Sequence, residues 1–228
     1  MALNLRTQQR IARALAAWCL VFLVVLAGRP SFTNASLPVR GVTDPVIALQ
    51  MVRNTDEVEA ILGETPSADR EVMRVKQYVD FALIAGYVFL ALLIAAALKR
   101  SGRRRIALLL DFLAIAAASL DIRENLATLR VVNLNLNQLT PAMLASLRFT
   151  SIAKWSVLIA AMALVASFAP ARRRWYPRAA GFISLAGCVF TAAGLFYNGL
   201  LAWGGLFMLL GLLLTAVTLK ELTYESAP

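Results

Sequence analysis

Asp121, Glu124, Asn125 and Thr128 stand at i, i+3, i+4 and i+7, so a helix presents all four on one face. Two carboxylates and an amide in that register can do proton chemistry or hold a cation. An amine, Lys154, follows on a later apolar segment, and Asp80 and Tyr87 share a face of an earlier one, seven residues apart. With Lys154 and Tyr197 to stabilise negative charge and Glu124 or Asp121 as general acid or base, the set fits a reaction centre. It fits equally well an ion-pair network that fixes helix register, and this is the leading expectation.

The segments that carry these residues are apolar. The chain has 60% hydrophobic residues and a mean hydropathy of +0.69, too apolar for an ordinary soluble domain. About 20 apolar residues cross a hydrocarbon core. Six stretches qualify, at 12–28, 79–98, 106–126, 151–168, 179–197 and 202–219. The expected architecture is all-α: a polytopic bundle of six transmembrane helices forming a single membrane domain over 1–228.

Charge placement sets the expected topology. The net charge of +10 gathers in short clusters beside apolar runs and forms no nucleic-acid face. Arg6, Arg10 and Arg13 precede the first span. Lys99, Arg100, Arg103, Arg104 and Arg105 fill the second connection, Arg172, Arg173, Arg174 and Arg178 the fourth, and Lys220 follows the sixth. Six spans with both termini in the cytoplasm put these groups on one side, which places the protein in a bacterial inner membrane. The first span also reads as a secretory signal ending in Val25-Leu26-Ala27; the expectation is a retained helix.

Counting about 1.5 Å per residue from the basic anchors puts Glu124, Asp80, Lys154 and Tyr197 each about 27–28 Å away. Asp121 falls about 24 Å from Arg105. Asp80, Asp121, Glu124, Asn125, Lys154 and Tyr197 therefore share one level near the outer boundary. Asp111 lies closer to the basic end and is expected to pair with Arg104 or Arg105. Arg123 points away from the cluster.

Residues 29–76 form the one sizeable soluble piece, an outer helical cap. Thr43-Asp44-Pro45 and Thr55-Asp56-Glu57 read as starts of two short amphipathic helices, and Gly63 suits the end of the second. Pro66-Ser67 precedes a helix expected to run unbroken into the second span, and Thr140-Pro141 one that continues as the fourth. The short helices either lie on the membrane surface or cap the bundle; capping is expected. Gly181, Gly187 and Gly194, with Gly204, Gly205 and Gly211, are expected to let spans five and six approach closely.

Cys19 and Cys188 sit in apolar runs as buried thiols, and no histidine is present. His-ligated metals and haem are thereby excluded, and no nucleotide-binding loop appears. No cofactor or metal is expected; the expected partners are membrane lipids or a membrane protein, not nucleic acid.

The pattern Asp80-Phe81 with Tyr87, Asp121-x-x-Glu124-Asn125, and Lys154-Trp155 resembles a group of bacterial integral membrane proteins of unassigned activity. These carry a D-F…Y segment, a D-x-x-E-N helix and a K-W helix start, and the likeness covers roughly residues 44–160. It implies a topology and a residue set but no reaction. Three functions remain: an accessory protein binding a lipid or partner, an enzyme acting on an amphipathic molecule, and a small transporter. The first is the leading expectation.

Overall fold

The computed structural model describes residues 4–28, 30–33, 39, 41–167 and 175–219. Its helices are α1 (Leu5–Ala27), α2 (Pro45–Gln50), α3 (Thr55–Leu62), α4 (Ala68–Arg100), α5 (Arg104–Asn133), α6 (Pro141–Ala166), α7 (Trp175–Gly194) and α8 (Leu201–Val217). Short 3-10 turns occupy Leu136–Gln138 and Asn198–Leu200.

The helix starts follow local chemistry. The Asn4, Asn54, Ser67 and Thr140 side chains each accept from a backbone N–H of the first turn. Asp44 does the same for Val46 and Ile47, with Pro45 opening α2. Gly63, at φ +68°, ends α3 in a backbone region that a side chain would strain.

Among the described residues, four helical segments are long and apolar enough to cross a membrane: Arg6–Ala27, Ala68–Arg100, Pro141–Ala166 and Asn198–Val217. The other two stretches read as spans, now α5 and α7, do not reach that apolarity. Asp111, Asp121, Arg123 and Glu124 dilute α5, and glycine, serine and alanine dilute α7.

The basic groups gather at one end of the bundle. Arg100 donates to Gln8 Oε1 at 2.7 Å, joining the end of α4 to the start of α1. Gln9 Nε2 donates to the Val217 carbonyl at 2.8 Å, joining the same start to the end of α8. Arg172, Arg173, Arg174 and Lys220, and the end of the fourth predicted span, lie outside the described residues.

Two apolar cores result. One fills the bundle toward the basic end, with Leu90, Ile94, Leu98, Leu110, Met162 and Ala216. The other, at the opposite end, joins α2 and α3 to the far turns of α4, α5 and α6 through Leu49, Val58, Leu62, Met73, Val132 and Leu147. At 33 and 30 residues, α4 and α5 are about 50 and 45 Å long, well beyond a hydrocarbon core of about 30 Å. Their excess length is what α2 and α3 pack against. Arg70 locks this end, donating from a buried guanidinium to the carbonyls of Gly63, Val131, Val132 and Leu134. It thereby caps the C-terminal turn of α5.

The α7–α8 hairpin is closely packed, as its glycines suggest. A Cβ on Gly211 would stand 2.9 Å from the Ser184 backbone, and one on Gly194 2.7 Å from the Leu201 nitrogen. Gly205 departs from that expectation, because it faces the Trp155 ring of α6.

A second expectation fails at Asp111. Its partner is Lys99, at 2.5 Å, and not Arg104 or Arg105. Six or seven residues of helix separate Asp111 from those arginines by about 9–10.5 Å of rise. Lys99 instead reaches it directly across the tight α4–α5 turn.

Candidate functional site

The polar side chains on α4, α5 and α6 converge. Lys154 Nζ lies 2.7 Å from Glu124 Oε1 and 3.1 Å from Asp121 Oδ1, and all three side chains are buried. The Tyr87 hydroxyl donates to Asp121 Oδ2 at 2.8 Å. Asn125 Nδ2 donates to Asp80 Oδ2 at 2.8 Å. The ammonium also stands 4.8 Å from the Trp155 ring centroid, within cation–π range. The indole Nε1 donates to Gln50 Oε1 at 3.1 Å, which ties α2 to the cluster.

Helical register explains the gathering. Asp121, Glu124, Asn125 and Thr128 are all buried on one face of α5, while Arg123 is exposed on another, as expected. Lys154 and Ser151 are three apart on the buried face of α6. The Ser151 hydroxyl beside Glu124 donates to the Leu147 carbonyl, and Glu124 Oε2 is buried without a hydrogen-bond partner. Three carboxyl groups, Asp80, Asp121 and Glu124, surround one ammonium, Lys154, so acid groups outnumber the cation that can pair them. Buried charges of this kind persist only when mutually paired.

Tyr197 does not belong to the group. Helix α7 ends at Gly194, and Tyr197 opens the following 3-10 turn with 74% of its surface exposed. Rise per residue counts only within a helix, and at Tyr197 the chain has already left α7 and turned the ring outward.

The cluster forms one wall of a cavity of about 310 Å³. Asp80, Tyr87, Asp121, Asn125 and Lys154 line its polar side, with Asp44 and Gln50 from the α2 region and Lys76 and Gln77 from α4. The rest is apolar: Leu23 and Leu26 of α1, Leu83 of α4, Leu158 and Met162 of α6, and Leu206, Leu209 and Leu212 of α8. Helix α1 rests on α4 through Cys19 and Trp18, whose indole donates to the Ala82 carbonyl at 2.9 Å. Lys76 holds the end of α1, donating to the carbonyls of Leu26 and Gly28. Below the cavity the basic-end core closes the bundle.

Sequence reasoning missed Gln50, Lys76 and Gln77. The last two had a signal: they lie four and three residues before Asp80, on the face that continues to Tyr87. Gln50 had none, since only tertiary packing brings α2 over Trp155.

Among the described residues, no group of three or more His, Cys, Asp or Glu is placed to hold a metal ion. The arrangement can hold a polar head against charged groups while burying an apolar tail. Fold and site together define an all-helical bundle with four helices of membrane-crossing length around an amphipathic cavity. No family model, curated protein or solved structure matches the chain.

Proposed function

We propose that this is a six-span protein of the bacterial inner membrane, both termini cytoplasmic, that binds an amphiphilic molecule drawn from the outer leaflet. Its role is non-enzymatic, as an accessory or carrier component. The observation that carries the reading is the cavity: a charged, hydrogen-bonding wall on one side and leucine and methionine side chains on the other.

Exposed apolar stripes support α5 and α7 as the two further spans, third and fifth in chain order. Leu108, Leu109, Phe112 and Ile115 form one stripe, and Phe182, Leu185 and Val189 the other. The gathering of Arg10, Lys99 and the α4–α5 turn at one end supports a cytoplasmic face there. The resemblance to membrane proteins with the same D-x-x-E-N and K-W pattern is consistent with this topology.

Binding is favoured over catalysis by the pairing within the cluster. Both oxygens of Asp121 are engaged, by Lys154 and Tyr87, and Glu124 lies behind the cavity wall. Asp121 therefore has no uncommitted oxygen to offer a substrate, and Glu124, although its Oε2 is unpaired, does not line the cavity. Transport is disfavoured because the basic half of the bundle is filled by Leu90, Ile94, Leu98 and Leu110.

The test is mass spectrometry of lipids retained by the purified protein. Wild type should retain an amphiphile enriched over bulk membrane, and Leu209→Trp, which fills the cavity, should lose it. Identical lipid profiles from the two proteins would refute the reading.

A further inference from the structure

The chemistry of the bound head follows from which polar groups in the cavity are already satisfied; this step rests on the amphiphile-binding reading above. The charged residues lining the cavity are Asp44, Lys76, Asp80, Asp121 and Lys154. Both cations are engaged within the protein. Lys154 is held between Asp121 and Glu124, and Lys76 by the carbonyls that end α1. Among the described residues, a phosphate or carboxylate head entering here would find no free cation and would face Asp80 and Asp121 at short range. In a site shielded from water, that repulsion opposes binding.

The unsatisfied groups are mostly acceptors. Asp80 receives Asn125 on Oδ2, and its Oδ1 takes no partner among the described residues. Gln77 touches Met73 Sδ through its Nε2 at 3.6 Å, and its Oε1 takes no partner among the described residues. Gln77 and Asp80, three apart on α4, present these oxygens on one face. One donor completes the set: Gln50 accepts from Trp155 on Oε1, and its Nε2 takes no partner among the described residues. Gln50 and Gln77 are only 6% and 3% exposed, yet both line the cavity. Buried amides of native proteins rarely go without a partner.

We propose that the cavity selects an amphiphile with a cationic amine head bearing a neighbouring hydroxyl or carbonyl oxygen. An ammonium offers three donors and no acceptor. It can serve Asp80 Oδ1 and Gln77 Oε1 and offset one of the excess carboxylates. The adjacent oxygen accepts from Gln50 Nε2. At about 310 Å³ the cavity is near the lower end of ligand pockets, about 300–1,000 Å³, which suits a single chain over a two-chain phospholipid.

The test compares two photoreactive probes in phosphatidylcholine nanodiscs containing the full-length protein. Both carry the same diazirine-bearing alkyl chain; one ends in an amino alcohol, the other in a phosphate. Crosslinks are mapped to the α6 peptide containing Leu158 and Met162. The amino-alcohol probe should label this peptide about tenfold more than the phosphate probe, the scale of one charge-assisted hydrogen bond. Asp80→Asn, which can keep the Asn125 contact, should remove most of that preference. Equal labelling by the two probes, a phosphate preference, or a preference unchanged in Asp80→Asn would overturn the head assignment and leave the amphiphile reading standing. Absence of cavity labelling by either probe would overturn both.

Discussion

Lys154 Nζ sits 2.7 Å from Glu124 Oε1, with the two side chains buried on neighbouring helices. The contact welds α6 to α5, and the 3.1 Å contact to Asp121 doubles it. Removing the amine strands two buried carboxylates. Breaking a buried pair from one side costs about 3–5 kcal/mol. Lys154→Met should therefore lower the detergent melting temperature far more than Leu126→Ala, which trims an exposed side chain. Equal melting shifts for the two variants would mean that the network does not hold the bundle together.

Arg70 is the second internal anchor, and it uses no carboxylate. Its guanidinium gathers the carbonyls of Gly63, at the end of α3, and of Val131, Val132 and Leu134, at the end of α5. Arg70→Ala should cost at least about 3 kcal/mol, since each bond to a charged donor contributes about 1.5–3 kcal/mol. Hydrogen exchange should accelerate locally, in α3 and the last turn of α5, with the basic-end core unaffected. Exchange rates like those of wild type in α3 would contradict this assignment.

Six spans and four spans make opposite predictions for the α5–α6 connection. With α5 crossing, single cysteines at Gly102 and at Asn137 lie on opposite faces of the membrane. A thiol reagent that cannot cross the membrane should label intact spheroplasts at Asn137 and not at Gly102. Labelling of both positions would remove α5 from the set of spans.

Much of this architecture could be read from residue order. Ser67 and Thr140-Pro141 mark helix starts by capping chemistry that acts within a few residues. The face shared by Asp121, Glu124 and Asn125 follows from helix periodicity, and rise per residue brought Asp80 and Lys154 to the same level. Azimuth is what periodicity leaves open. It is set by how helices pack, so Asp111 meets Lys99 and Tyr197 turns away. The cavity was beyond reach for the same reason. It is a gap between α1, α2, α4, α5, α6 and α8, and no single segment encodes a gap. Gln50 illustrates the point, being an ordinary polar residue at the end of a six-residue helix until Trp155 comes against it.

Trp155 offers the most direct check on whether an alkyl chain enters the cavity. It lines the cavity and is 7% exposed, whereas Trp203 is 57% exposed. Two proteins are needed, each keeping one of these tryptophans and carrying phenylalanine at the other three. Both are placed in vesicles containing a small fraction of single-chain amphiphile brominated along its tail. Quenching of Trp155 that saturates at low bromolipid fraction, beside the gradual quenching of Trp203 by bulk lipid, is the predicted result. Trp155 fluorescence that stays constant while Trp203 is quenched would contradict the central claim.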